Sequence, residues 1–105
     1  MAKQIYDKVT FILYGEDVWR VTVNVDEDGV IVVKVDLHGK KCAEAFKIIK
    51  QIITLIQVPF IFDIIHGYNN GTAIKEMIWN QIEHNRVQEK FCNSWNPGET
   101  FLRVA

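Results

Sequence analysis

The chain has little that would suit a disulfide scaffold, a membrane anchor or a protein that packages nucleic acid. Its 105 residues hold only two cysteines, Cys42 and Cys92. They are too few and too far apart for a metal knuckle or a disulfide framework, and they read as reduced, buried thiols. Proline occurs twice and glycine six times, with no low-complexity segment, linker or internal repeat. The longest apolar stretch, at residues 52–65, is broken by Gln57, Pro59 and Asp63, so no membrane-spanning helix is expected. The N-terminus lacks the basic and apolar blocks of a secretory signal, and the expectation is a soluble cytoplasmic protein without membrane contact. A surplus of one charge is missing too. Twelve Lys and Arg against thirteen Asp and Glu give a formal net charge of -1, so any nucleic-acid binding has to be local.

What is present is a core. At 105 residues and 49% hydrophobic, the chain is the size of one domain and can bury a single core, with no room for a second. The charge is uneven along it. Residues 1–33 hold three Lys/Arg against six Asp/Glu, a balance of -3, whereas residues 34–105 hold nine against seven, a balance of +2.

The hydropathy pattern predicts the elements. Val9, Phe11 and Leu13 alternate with other residues, Gly15-Glu16-Asp17 offers a turn, and Trp19, Val21, Val23 and Val25 alternate again, which predicts an N-terminal β-hairpin. Asp26-Glu27-Asp28-Gly29 turns the chain into a third strand over residues 30–37, where Lys34, Asp36 and His38 share a face. Apolar positions 42, 45, 46, 49, 52, 53 and 56 form a helix stripe, which Ile48 and Leu55 widen. Pro59 ends that helix, and residues 60–65 read as a strand buried on both faces. A loop at residues 67–71, a helix carrying Ile74, Met77, Ile78 and Ile82, and a hairpin around Asn96-Pro97-Gly98-Glu99 complete the chain. The expected order is β-β-β-α-β-α-β-β. It makes an α/β two-layer sandwich with a mixed sheet and both helices on one face, divided into a hairpin extension at 1–33 and a domain at 34–105.

Two strand ends stand out: Val35-Asp36-Leu37-His38-Gly39 and Ile64-Ile65-His66-Gly67. As parallel neighbours they bring both histidines to one sheet edge, the edge where open α/β sheets bind ligands. Asp36, His38 and His66 are then candidate acid-base groups, because imidazole titrates near neutral pH and a carboxylate can orient it. The loop at 67–71 opens a helix, so its backbone N-H groups can cradle a phosphate, with Lys40, Lys41 and Lys75 adding positive charge. Each group also has a plainer role: a carboxylate capping a loop, a histidine in a turn, a solvated lysine. Only their coincidence at one edge points to a site. Tyr68 is the aromatic placed to stack on a base, while Trp19, Trp79 and Trp95 are equally explained by packing. One carboxylate and two imidazoles are donors that a divalent cation accepts, but no three-ligand spacing assigns one.

These residues resemble the Smr (small MutS-related) domain. The resemblance runs from Lys34 to Ala105 and rests on Val35-Asp36-Leu37-His38-Gly39, on His66-Gly67-Tyr68-Asn69-Asn70-Gly71, and on Gly98-Glu99-Thr100 with Val104. It implies a nucleic-acid-binding domain, in several members an endonuclease acting on DNA or RNA. It also implies a catalytic role for Asp36, His38 and His66, and nucleic-acid contacts from Gly67, Tyr68, Asn69, Asn70, Gly71, Lys75, Lys40 and Lys41. Three positions depart from the family pattern: Val35 replaces Leu, Asn69 replaces the middle glycine of the loop, and Lys75 replaces Arg. Asn tolerates the left-handed backbone region but adds a side chain, and Lys loses the bidentate fork that Arg offers phosphate. Two alternatives stay open: a binding module that does not cut, and an assembly module that joins a partner or a second copy through the N-terminal hairpin.

Overall fold

The computed structural model describes residues 2–13, 18–67 and 72–105. Helix α1 spans Ala2–Ile12, a 3-10 turn covers Val18–Arg20, and strands β1, Val21–Val25, and β2, Ile31–Asp36, follow. Then come α2, Cys42–Leu55; β3, Phe60–Ile65; α3, Thr72–Gln81; β4, Val87–Asn93; and β5, Asn96–Val104. The five strands form one mixed sheet in the order β1-β2-β3-β5-β4. β2 and β3 are parallel, as the α2 crossover requires, and the other neighbours are antiparallel.

The N-terminal segment corrects the sequence reading. Val9, Phe11 and Leu13 lie in or just after a helix, not in a strand, and the order is α-β-β-α-β-α-β-β. Ile5, Val9 and Leu13, four residues apart, are buried together, whereas Phe11 is 80% exposed. A short alternation is compatible with either period, and packing of the four-residue stripe against β1 and α2 decided it. The turn expected at residues 15–17 lies outside the described residues. The second half of the expected hairpin survives in altered form. β1 pairs with β2, joined by a turn in which Asp26 Oδ1 accepts the amides of Asp28 and Val30, both at 2.9 Å.

α2 packs against α1 and α3, and together they bury one face of the sheet. Val33, Val35, Phe62, Ile64 and Leu102 meet Ile49, Ile52, Ile53, Met77 and Ile78, all of them 1% exposed or less. Each such side chain contributes roughly 1.5–3 kcal/mol through removal from water. Ile48, off the helix stripe, is also buried. Arg86, just before β4, closes the far end of this layer. Its Nη1 donates to the carbonyls of Ile53 and Ile56, both at 2.6 Å, its Nη2 to Val58 at 3.1 Å, and its Nε to Ala105 at 2.7 Å. The carbonyls of Ile53, in the last turn of α2, and of its C-cap residue Ile56, which a helix end leaves without partners, are thereby satisfied.

Two further expectations change. Cys42 is partly buried with its thiol 3.6 Å from the Ala73 carbonyl, but Cys92 is exposed on the outer strand β4. Of the tryptophans, only Trp79 is packed, whereas Trp19 and Trp95 are 62% and 95% exposed.

Candidate functional site

β2 and β3 end side by side. Asp36 is paired with Ile65, and the Leu37 amide donates to the Ile65 carbonyl at 2.7 Å, so the residues that follow both strands emerge at one edge. Asp36 does two jobs there. Its Oδ1 accepts the backbone amide of His38 at 3.0 Å, the plainer capping role, and it also pairs with His38 Nδ1. The bonding pattern assigns a proton to Nδ1 and turns Nε2 outward, on a side chain that keeps 56% of its surface open. Gly39 follows with φ of 81°, and the chain bends into α2.

Gly67 lies against this pair. Its φ of 78° favours glycine, and a Cβ added there would stand 3.4 Å from the Cβ of His38. The amides of His66 and Gly67 both donate to the Gly98 carbonyl, at 2.8 and 3.1 Å, which fastens the first residues of β5 to the same edge.

The structure brings His66 to this edge but turns it inward. The residue is 1% exposed. Its Nδ1-H donates to the Gly67 carbonyl at 2.8 Å, and Nε2 accepts the Thr100 hydroxyl at 2.9 Å. That hydroxyl in turn accepts the Trp79 indole N-H at 3.3 Å. Burial, helped by the charge of Lys75, outweighs the Gly67 bond and holds the His66 pKa below its ordinary value, so the imidazole is neutral at pH 7. Both of its nitrogens are committed to the fold.

Two site residues escaped the sequence reading. Arg20 Nη1 donates to the carbonyls of Asp36 and His38, at 2.9 and 3.0 Å, bracing the end of β2. The same guanidinium lies 4.5 Å from the Trp19 ring centroid, and the Trp19 ring meets the His38 ring edge-on at 6.4 Å. The available signal was the Trp19-Arg20 pair at the start of a strand whose first residue, Val21, pairs with Val35.

The lysines sit at the starts of the two helices that follow β2 and β3. Lys40 pairs with Glu44 at 3.0 Å, Lys41 is exposed at the N-terminus of α2, and Lys75 sits half-buried in the first turn of α3. Tyr68, Asn69, Asn70 and Gly71 lie outside the described residues. Among the described residues no three His, Cys, Asp or Glu side chains converge on a metal position. A groove of about 690 Å³ lined by Lys8, Phe11, Ile12, Lys50, Thr54 and Leu55 lies between α1 and α2, and it contains neither member of the Asp36-His38 pair.

On the sheet face away from the helices, Asp63 and Glu99 share a hydrogen bond. Burial, then the bond to Glu99 and its charge, push Asp63 up to about 8, while that bond holds Glu99 below its usual value. The second Asp63 oxygen, Oδ1, is buried and has no hydrogen-bond partner among the described residues.

The arrangement is that of a small α/β domain with a five-stranded mixed sheet and a carboxylate-oriented imidazole at the edge where two parallel strands end. No known family, curated protein or solved structure matches the chain. No described helix is long and apolar enough to cross a membrane.

Proposed function

We propose that this chain is a Smr-type domain that binds nucleic acid at the Asp36-His38 edge and hydrolyses a phosphodiester bond there. The observation that carries the reading is the exposed His38 imidazole, held by Asp36 and set against Gly67. Asp36 fixes the tautomer, so Nε2 is free to take a proton from water as the water attacks phosphorus. The P-O bond to the leaving oxygen breaks, and the imidazolium returns the proton to that oxygen. Lys41, the N-cap of α2, and Lys75, on the first turn of α3, supply positive charge for the phosphate where these helices begin, and the helix N-termini add to it. His66 is a positioning residue in this scheme, joining Gly67 to Thr100.

The test is incubation of the chain with labelled single- and double-stranded RNA and DNA, with and without EDTA. His38→Ala and Asp36→Asn are expected to slow cleavage by about 10²-fold or more with unchanged circular dichroism. Undiminished cleavage by both variants would refute the assigned roles. The commitment of both His66 nitrogens favours a second reading, binding without cleavage, since one imidazole then has to act as both base and acid. Salt-sensitive binding with no cleavage under any condition selects it, and Lys75→Ala should then weaken binding and flatten the salt slope.

A further inference from the structure

Indole rings are large and mostly apolar, and a small domain with its own core ordinarily packs them. Here Trp79 is half-buried and gives its N-H to Thr100. The other two are left in solvent, Trp19 at 62% and Trp95 at 95% exposed. Both lie at the edge that carries His38. Trp19 stands two residues before Val21, the β1 residue paired with Val35 near the end of β2. Trp95 lies in the two-residue turn between β4 and β5, three residues before Gly98, the β5 residue whose carbonyl receives the amides of His66 and Gly67. In the strand order β1-β2-β3-β5-β4 the two indoles therefore bracket His38 and Gly67.

We infer that this edge takes unpaired nucleic acid, with bases stacked on Trp19 and Trp95 and the backbone between them passing His38. The inference rests on the nucleic-acid reading above and names its substrate class. Three strand intervals separate β1 from β5, and at about 4.8 Å each they span about 14 Å, room for a few nucleotides of extended single strand. Trp19 is held for the purpose by the Arg20 guanidinium over its ring, itself anchored on two β2-end carbonyls. The Trp95 backbone N-H donates to Asn93 Oδ1 at 2.9 Å, which fixes the turn that presents the ring. The Trp19 ring, held by the Arg20 guanidinium, loses little freedom when a base stacks on it. Bases inside a duplex are already stacked on one another and cannot use either platform. Lys41, the N-cap residue of α2, and Lys75, in the first turn of α3, add positive charge where the two helices that follow β2 and β3 begin, which favours a polyanion as the occupant over an apolar protein surface.

The experiment is fluorescence anisotropy of the full chain with short labelled RNA and DNA, single-stranded and as duplexes, with probe integrity checked on a gel. Single strands are expected to bind about tenfold or more tighter than duplexes, and Trp19→Ala and Trp95→Ala each to weaken single-strand binding about fivefold or more. Trp19→Phe and Trp95→Phe should retain most of the affinity, and duplex binding and thermal midpoint should be unchanged in all four variants. Equal affinity for single strands and duplexes, or single-strand binding untouched by both alanine variants, overturns the inference and leaves the nucleic-acid reading standing. Absence of binding to every probe overturns both. So does loss of self-association in the alanine variants, measured by light scattering, if no probe binds; that result reassigns the indoles to a protein interface.

Discussion

Asp63 and Glu99 hold one proton between two carboxyl groups on the sheet face away from the helices, and that proton has a thermodynamic signature. In the unfolded chain Asp63 returns to its ordinary value, so between roughly pH 4 and pH 8 the folded state binds more protons than the unfolded one. Stability from this group is complete below the unfolded pKa and is lost as pH rises toward 8. Glu99, shifted the other way, contributes stability above its ordinary pKa and loses it as pH falls. His66, whose pKa is lowered on folding, adds stability as pH rises to its ordinary value of 6.5 and opposes this trend below it. Urea unfolding should accordingly show stability declining between about pH 6.5 and pH 8 by up to about 1.4 kcal/mol per pH unit. Asp63→Asn, which donates a hydrogen bond without a titrating proton, should flatten that decline, and an unchanged slope in the variant would sink the assignment. Residue by residue, the site was unevenly legible. Asp36 and His38 were readable because alternation in one strand puts them on one face. The commitment of His66 was not, because its partner Thr100 lies 34 residues away and only the pairing of β3 with β5 brings it close. Nor was the pairing of Asp63 with Glu99, which depends on the same strand register.

Among the elements, those with long or unambiguous periods were readable. The helix stripe that became α2 and the continuous apolar run of β3 fall where the pattern puts them, and α1 does not, because Val9, Phe11 and Leu13 fit two periods and only tertiary burial separates them. Arg86 belongs to this scale too, since nothing local shows that a residue before β4 serves the end of α2. Its side chain meets four carbonyls. Truncation to Ala should cost about 2–4 kcal/mol, by leaving those partly buried acceptors unpaired. Arg86→Lys should recover only a small part, since an ammonium cannot span the same fan of acceptors. Chemical denaturation of the two variants decides this; full recovery by Lys would show that charge alone is needed.

For the molecule as a whole, residues 1–33 share the core and the site with residues 34–105. Ile5, Val9, Leu13 and Val21 belong to the same apolar cluster as Val33 and Ile52, and β1 covers the flank of β2. Arg20 then reaches from this N-terminal segment to the carbonyls of Asp36 and His38. That one side chain makes binding and local opening reciprocal. A ligand that needs the braced form of the β2 end must, by mass action, hold the segment containing Arg20 closed, by about 2.7 kcal/mol at a hundred times its dissociation constant. Amide exchange across Val21–Val25 should slow when an oligonucleotide is added, and Arg20→Ala should break the link while leaving binding measurable. Slowing confined to β2 and β3 would show that no such link exists. Protection of a strand with no catalytic group of its own would then report occupancy of the site, and a protease acting on the opened N-terminal segment would have to wait for the ligand to leave.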